Sequence, residues 1–252
     1  MLATISLQKN AGGLEKNIVY LSNELIASGK RVVLLTFDFA DAEPFYELNP
    51  ELTWVKIGIT EPHTKMSISQ KLELVGSIRK NIKAHKVDQI ICFTHGILAR
   101  FLLANLGLNT TLVCSERNSI SMYKHTTQKK WNVNFMLLIF VKKITVQFDA
   151  YKYDYPIWLR HKIFTVNNPI FYHLESADLS SKNILAVGRL ATQKQYHILI
   201  EAFALVAKDW PDWQLKIIGE GHLKLELLDL IKTLKLDGSV MIIPPSKLVE
   251  NH

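Results

Sequence analysis

The clearest structural pattern of the chain is Asn183-Ile-Leu-Ala-Val-Gly-Arg-Leu-Ala-Thr-Gln-Lys194. Its short apolar run ends at Gly188, and two cations follow, Arg189 at once and Lys194 five residues later. An amphipathic helix begins near Tyr196. A strand, a tight turn and a helix N-terminus in this order predict a βα unit of a parallel sheet. The two cations and the free N–H groups of the helix end suit a diphosphate. The alternative for Arg189 is a surface ion pair with a carboxylate.

The composition is that of a globular protein. The chain has 252 residues, of which 48% are hydrophobic and 21% charged, which suffices for one large or two modest domains. Both cysteines, Cys92 and Cys114, lie within apolar runs and are expected to be reduced core thiols of a cytoplasmic protein. The longest apolar run, residues 135–141, is too short to span a bilayer, and residues 1–7 lack the basic leader of a signal peptide.

The net charge is +7 and the pI about 9.2, which is compatible with nucleic acid, an anionic membrane or a phosphorylated small molecule as partner. The basic residues form small clusters rather than long runs, and they can equally be solvated faces. Because no zinc-finger or RNA-binding signature is present, we expect no nucleic-acid partner.

In residues 2–166, apolar β-branched runs alternate with segments of helical spacing. This alternation predicts a parallel sheet covered by helices on both faces. The predicted strands are residues 2–7, 32–35, 53–57, 88–93, 111–114, 144–147 and 163–166, and the predicted helices are 14–25, 69–84 and 97–106. In the second helix, Leu72, Val75, Ile78 and Ile82 are expected to form the buried face.

A second α/β unit follows the breaker Asn167-Asn168-Pro169. We therefore divide the chain into a domain of residues 1–166 and a domain of residues 167–252. The second domain has predicted strands at 184–187, 214–218 and 240–243, and helices at 197–207 and 223–234. The first of these helices is expected to pack inward through Ile198, Leu199, Ala202, Phe203 and Val206. Three strands and two helices make half of a doubly wound domain, which would leave an apolar edge unpaired.

Polar residues follow two strands of the first domain. His95 comes after the strand that ends at Phe93, and Glu116 and Arg117 come after the next one. Ligands of doubly wound sheets bind at the carboxyl ends of strands, so these three residues are candidates for substrate contact. The alternatives are a structural histidine and an ion pair between Glu116 and Arg117.

Glycines mark two further candidate positions. Gly12 and Gly13 open the first helix, where a phosphate could approach the helix end, although a plain tight turn is as good an interpretation. Glu220 stands between Gly219 and Gly221 at the end of another strand. This arrangement indicates either close approach of a nucleoside or a simple turn.

Residues 183–252 resemble the C-terminal domain of the retaining glycosyltransferases of family 4, the group 1 enzymes of GT-B fold. The similar segments are Ile-Leu-Ala-Val-Gly-Arg-Leu (184–190), Gln-Lys (193–194), Leu-Ile-Glu-Ala-Phe (199–203) and Leu-Lys-Ile-Ile-Gly-Glu-Gly (215–221). Earlier in the chain, Ala-Gly-Gly-Leu-Glu (11–15), Cys-Ser-Glu-Arg-Asn (114–118) and Asn-Asn-Pro-Ile (167–170) resemble further landmarks of the family.

The resemblance implies two Rossmann-like domains, the second of them incomplete in this chain. It implies transfer of a sugar, with retention, from a nucleoside-diphosphate sugar, with UDP the favoured nucleotide, to a glycan or lipid-linked acceptor. No metal or other cofactor is expected to hold the diphosphate. The catalytic candidates are Arg189, Lys194 and His95; the donor-binding candidates are Gly12, Gly13, Gly188, Arg189, Lys194, Gly219 and Glu220; and Glu116 and Arg117 are weaker candidates for acceptor or donor.

The same resemblance places the protein in assembly of bacterial lipopolysaccharide or other surface polysaccharide. It would act in the cytoplasm, with peripheral attachment of its basic clusters to anionic lipid as a further expectation.

The sequence departs from the family in two places. Gln195 follows Lys194 where the family usually has glycine, so the backbone cannot approach a ligand as freely. The family's Glu-x7-Glu motif, which binds the donor sugar and ribose, is absent before His252, and we therefore expect a truncated chain. One alternative function is accordingly a remnant that binds nucleotide sugars without turnover. Another is a GT-B sugar-nucleotide 2-epimerase. The sequence from Gly188 to Gly221 disfavours this function, as does the lack of a carboxylate-rich centre.

Overall fold

A computed structural model describes residues 1–7, 12–58, 65–123, 132–169 and 180–245. The chain forms two compact units, Met1–Ile170 and Phe171–His252. The predicted boundary, between residues 166 and 167, lies in the irregular segment that follows the last strand of the first unit.

In the part that the structure describes, the first unit is a seven-stranded, entirely parallel sheet with helices between its strands. The strands are β1 (Leu2–Thr4), β2 (Val33–Thr36), β3 (Thr53–Lys56), β4 (Gln89–Phe93), β5 (Thr111–Ser115), β6 (Lys143–Val146) and β7 (Ile163–Thr165). The α-helices are α1 (Gly13–Ala27), α2 (Ile68–Ala84), α3 (Leu98–Asn105) and the short α4 (Val133–Met136). The strand order is β3-β2-β1-β4-β5-β6-β7, so the direction of winding reverses between β1 and β4. The seven strands and three long helices predicted from the sequence are all present.

Helix α2 shows how local sequence fixes one of these elements. The Ser67 side chain accepts from the Gln70 N–H, and the Gln70 side chain accepts in turn from the Ser67 N–H, which forms a capping box. The buried residues are Leu74, Ile78 and Ile82. The expectation that Leu72 lies on this face was wrong, since its side chain is 67% exposed. At about 100° per residue, Leu72 lies about 120° around the helix from Ile78, whereas Leu74 lies only about 40° away.

Within residues 180–245, the second unit has three parallel strands and two helices, as predicted. They are β8 (Asn183–Val187), α5 (Tyr196–Val206), β9 (Gln214–Ile218), α6 (Lys224–Thr233) and β10 (Val240–Ile243), with strand order β10-β9-β8. The core contains Leu190, Ile200, Leu215, Ile217 and Leu227. The predicted inward face of α5 was only partly right: Phe203 is buried, but Ile198 and Val206 are 50% and 46% exposed.

Strand β8 lies at the edge of its sheet, and its apolar side chains are uncovered. Ile184 is 37% exposed, Leu185 42% and Val187 52%. A strand of this composition normally lies inside a parallel sheet. The apolar edge expected from the sequence is therefore present on β8.

Candidate functional site

The loop after β8 is fixed by hydrogen bonds to the end of β9. The Gly188 N–H donates to the Ile218 carbonyl at 2.9 Å, and the Leu190 N–H donates to the Glu220 carbonyl at 2.8 Å. These two bonds hold the backbone on either side of Arg189. The guanidinium is thereby presented at the carboxyl edge of the second sheet, where doubly wound sheets bind their ligands.

Arg189 and Lys194 both have exposed side chains. Neither side chain forms a hydrogen bond or an ion pair with any residue in the described part of the chain. The Lys194 stem lies over the turn, because a Cβ placed on Gly188 would be 3.4 Å from Lys194 Cε and 2.7 Å from Tyr196 Oη. The surface ion pair considered for Arg189 is therefore not formed with a described carboxylate, and both cations are available to an anion.

Helix α5 begins directly after this pair of cations. Its N-terminus has no side-chain cap, since the capping position is occupied by Gln195 in a left-handed conformation with φ 52° and ψ 39°. Non-glycine residues pay about 1 kcal/mol or more for this conformation. Gln195 thus occupies the position where the family usually has glycine, and glycine would be the least strained residue there. The uncapped N–H groups add positive potential beside Lys194.

Gly219 and Gly221 allow two loops to pack backbone against backbone. A Cβ on Gly219 would lie 1.9 Å from the Gly188 carbonyl oxygen, and one on Gly221 would lie 2.2 Å from the Leu190 carbonyl oxygen. The interpretation of these glycines as turn residues is therefore explained by the close backbone packing, which leaves no room for a Cβ at either position. Glu220 is exposed between them, and its contact with a donor stays a prediction, as does that of Gly188, Gly219 and the two cations.

The glycine pair of the first unit lies at the N-terminus of α1. Gly12 is the capping residue and makes no side-chain cap, while Ala11 lies outside the described residues. The Glu15 carboxylate folds back over this end, since a Cβ on Gly12 would be 2.1 Å from Glu15 Oε2, whereas Gly13 faces open space. An internal anion thus already lies at the helix end, and binding of a phosphate by Gly12 and Gly13 stays a prediction.

His95 lies where the sheet changes direction. It follows β4, which pairs with β1 on one side and β5 on the other. Its side chain is buried, at 3% exposure, and its Nδ1 lies 2.7 Å from Glu116 Oε1. The same carboxylate oxygen accepts the His95 backbone N–H at 2.6 Å. The structure thus brings together two of the residues that the sequence placed at neighbouring strand ends.

Tyr123 and Cys114 contact Glu116, whereas the buried Tyr155 hydroxyl has no hydrogen-bond partner among the described residues. Tyr123 Oη donates to Glu116 Oε2 at 3.4 Å, and Cys114 Sγ donates to Oε1 at 3.5 Å. Burial, reinforced by the Glu116 charge, raises the pKa of the Tyr123 phenol, of the Tyr155 phenol and of the Cys114 thiol. All three therefore stay protonated at neutral pH, and two of them, Tyr123 and Cys114, can donate to Glu116.

Arg117 points away from Glu116, and these two described residues form no ion pair. Its Nη2 donates to Asn168 Oδ1, and Asn168 also accepts from Gln147 Nε2 at 3.2 Å. Burial lowers the pKa of the Arg117 guanidinium. The pairing of Glu116 with Arg117 considered from the sequence was thus wrong, because each side chain has a different partner. Contact of either residue with donor or acceptor stays a prediction.

Asp38 is a residue of this edge that the sequence interpretation missed. Its carboxylate is buried after β2, where it accepts from the Leu7 N–H at 2.9 Å and from the Ser6 hydroxyl. It therefore anchors the chain where β1 leads toward Gly12. The signal was available, since Asp38 is an acidic residue directly after a buried strand.

The described residues contain no cluster of three or more histidine, cysteine or acidic side chains able to hold a metal ion. Within the same residues, no helix has the length and hydropathy needed to cross a membrane.

Comparison with known proteins agrees with this architecture. Residues 175–251 match the family model for glycosyl transferases group 1. The chain is 26% identical over its whole length to the amylovoran biosynthesis glycosyltransferase AmsD of Erwinia amylovora, of which it covers 71%. It is 25% identical, over 89% of its length, to the Campylobacter jejuni GalNAc-alpha-(1->4)-GalNAc-alpha-(1->3)-diNAcBac-PP-undecaprenol alpha-1,4-N-acetyl-D-galactosaminyltransferase, of which it covers 63%.

Among solved structures, a variant of S. aureus TarM in complex with Fondaparinux, alpha-GlcNAc-glycerol and UDP is similar, with a TM-score of 0.75 and 12% identity. The alignment covers 97% of this chain and 77% of TarM. The fold is therefore of the GT-B type, and the resemblance to group 1 glycosyltransferases seen in the sequence is confirmed. The chain spans about two thirds of the length of the curated relatives that it matches along most of its own length.

Proposed function

We propose that this chain, a relative of the group 1 glycosyltransferases with the GT-B fold, transfers a sugar with retention from a nucleoside-diphosphate sugar. The acceptor is a glycan or a lipid-linked glycan of a bacterial surface polysaccharide. The observation that carries the proposal is the pair of exposed cations Arg189 and Lys194, which have no partner among the described residues, at the carboxyl edge of the second sheet beside the N-terminus of α5.

The chemistry explains why cations belong at this place. When the bond between the sugar and the diphosphate breaks, negative charge accumulates on the departing diphosphate. Cations that are already in position stabilise that charge more strongly than they stabilise the bound donor, and this difference lowers the barrier. Arg189 would hold two phosphate oxygens through its fork, and Lys194 would supply a point charge. No metal ion is then required for the diphosphate.

The similar proteins support the choice of substrates. TarM binds UDP in the crystal, which favours a UDP-sugar as donor. The relative from C. jejuni acts on a saccharide linked to PP-undecaprenol, which favours a lipid-linked acceptor. AmsD takes part in amylovoran biosynthesis, which favours a role in polysaccharide assembly.

An acceptor of this kind lies at a membrane, and one surface of the first unit suits an anionic bilayer. We call it the basic apolar face: Ile139, Phe140, Lys142, Lys143 and Phe164. Phe140 is 68% exposed and Phe164 45%, and Lys143 Nζ lies 4.5 Å above the Phe164 ring. Exposed aromatic and lysine side chains in these two neighbouring segments favour peripheral attachment from the cytoplasmic side, with about 1 kcal/mol of attraction for each cation.

Attachment is measured by co-sedimentation with vesicles that contain phosphatidylglycerol, compared with neutral phosphatidylcholine vesicles. We expect binding to the anionic vesicles alone. Replacement of Lys142 and Lys143 by glutamate abolishes it, whereas the same change at the exposed Lys208 of the second unit leaves it intact. Equal binding by both variants would rule out attachment through this face.

Thermal unfolding with a panel of UDP- and GDP-sugars tests the donor site. One donor is expected to raise the unfolding temperature, with no effect in Arg189→Ala or Lys194→Ala. Lys208→Ala is the matched control, because Lys208 is an exposed lysine beyond the opposite end of α5. Each lost charge-assisted contact costs about 1.5–3 kcal/mol, or roughly a factor of 10–100 in affinity.

Turnover is then measured as release of UDP in the presence of lipid-linked acceptors. Stabilisation by a donor without release of UDP would favour the alternative function, a nucleotide-sugar-binding protein without turnover. Absence of stabilisation by every sugar nucleotide would contradict the proposed donor site.

A further inference from the structure

Glu116 Oε1 accepts two hydrogen bonds from one residue. The backbone N–H of His95 donates to it at 2.6 Å, and the imidazole Nδ1 lies 2.7 Å from the same oxygen. A carboxylate that binds both the main chain and the ring of a histidine fixes the position of the residue and the rotation of its side chain. This contact depends on the sheet, because the register pairs Phe93 of β4 with Ser115 of β5.

The remaining surroundings of the pair are equally constrained. The Tyr123 ring packs edge-on against His95 with centroids 4.9 Å apart, and the Phe135 ring does the same at 6.0 Å. Tyr123 Oη reaches the second oxygen of Glu116 at 3.4 Å. Glu116 is fully buried, at 0% exposure. Both of its oxygens are thus occupied by protein groups, which leaves it poorly suited to contact a substrate itself.

The backbone before His95 is strained in a way that serves this contact. Thr94 has φ 83° and ψ 142°, a conformation that β-branched residues almost never adopt. It is held there by its N–H, which donates to the Ser115 carbonyl at 3.0 Å, and by its hydroxyl, which accepts from the Gly96 N–H at 3.3 Å. Strained residues of this kind cluster at functional sites, where surrounding structure over-determines them.

We propose that Glu116 is the positioning residue of His95, fixing its ring orientation and keeping the proton of the neutral imidazole on Nδ1. The tautomer of a histidine is set by the hydrogen bond that one ring nitrogen makes, and a carboxylate accepts but cannot donate. The lone pair of the neutral ring is therefore on Nε2. The inference rests on the proposed function only for its kinetic test, in which His95 is the catalytic candidate expected from the sequence, and it changes the role of Glu116 from a substrate contact to a support.

The tautomer is measured by long-range ¹H–¹⁵N NMR of the chain labelled with [¹⁵N]histidine. The signals of His95 are identified by their absence in His95→Gln. The spectrum is recorded at a pH above which their chemical shifts no longer change. In the unaltered protein we expect a protonated, pyrrole-type Nδ1 and a pyridine-type Nε2. A pyridine-type Nδ1 at His95 would overturn the proposal without any need for a variant at Glu116.

Two variants test the cause of this tautomer. Glu116→Ala is expected to shift the His95 ring toward the mixture of tautomers expected of the exposed His222, which serves as the internal reference. Glu116→Gln keeps an acceptor oxygen of the same reach and is expected to retain the Nδ1 proton. A His95 tautomer that does not change in Glu116→Ala, with the amide spectrum otherwise native, would contradict the proposal.

Kinetics separate positioning from general structural support. With a donor and acceptor that turn over, Glu116→Ala is expected to lower kcat by on the order of 100-fold, which is typical of a misplaced catalytic group. The double variant Glu116→Ala with His95→Ala should have the same kcat as His95→Ala alone, because Glu116 acts through His95. A double variant whose loss of kcat equals the product of the two single losses would contradict the proposal. If no sugar nucleotide turns over, the proposed function fails, while the NMR measurement still decides the role of Glu116.

Discussion

Replacement of Gly219 by alanine is expected to destabilise the second unit strongly. The added Cβ would lie 1.9 Å from the Gly188 carbonyl oxygen, and real contacts essentially never fall below 3.0 Å, so the loops must separate by about 1.1 Å. The obstacle is backbone, which cannot rotate away as a side chain could. Two hydrogen bonds join the loops here, from Gly188 to Ile218 and from Leu190 to Glu220.

A separation of this size breaks both hydrogen bonds in a buried setting. Each costs about 1 kcal/mol, and a buried group that is left without a partner costs a further 1–3 kcal/mol. We therefore expect Gly219→Ala to lower the free energy of unfolding by about 3–5 kcal/mol. The same movement displaces Arg189, which lies between the two bonded residues. Donor-induced stabilisation should consequently disappear with the loss of stability.

The assay is urea unfolding followed by far-UV circular dichroism, with amide hydrogen exchange at Leu190 and Leu215 to report on the second unit. Gly238→Ala is the matched control, since a Cβ there meets nothing within 4 Å. It should change stability by less than about 1 kcal/mol, because alanine only reduces the freedom of the unfolded chain. Equal effects of Gly219→Ala and Gly238→Ala would refute the argument from loop packing.

Two further substitutions and one alkylation experiment have defined outcomes. Gln195→Gly relieves the left-handed conformation and should stabilise the protein by up to about 1 kcal/mol in urea unfolding, and a loss of stability would contradict the strain argument. Asp38→Ala leaves the buried Leu7 N–H without an acceptor and should cost about 3 kcal/mol in the same assay, whereas an effect below about 1 kcal/mol would show that this anchor is dispensable. Burial raises the pKa of the Cys92 and Cys114 thiols, so neither should react with iodoacetamide at pH 8.5 until the chain unfolds, and rapid alkylation of the native protein would contradict their burial.

Element type and order followed from the sequence because buried β-branched runs and helical spacing are local signals. Helix faces were less predictable. In α5 nearly every residue is apolar, so periodicity does not select one face, and the structure buries Tyr196, Ile200 and Phe203. The sheet decides which side of such a helix is covered, and no local pattern records that choice.

The sequence predicted that His95 and Glu116 follow neighbouring strands, but it did not predict that their side chains contact each other. His95 and Glu116 are 21 residues apart, and their contact depends on the register of β4 against β5. A sequence cannot give that register, and the neighbouring Arg117 was the more obvious partner. Arg189 and Lys194, by contrast, belong to one short loop, so spacing alone indicated that they share a turn.

Arg189 and Lys194 are proposed to bind the diphosphate of a sugar nucleotide. The most direct measurement of this binding is calorimetric titration of the chain with UDP and, separately, with uridine. UDP should bind at least about 100-fold more tightly than uridine, and this difference should fall by roughly 10–100-fold in Arg189→Ala and in Lys194→Ala but not in Lys208→Ala. Equal affinities for UDP and uridine, or a UDP affinity unchanged in both variants, would contradict the account.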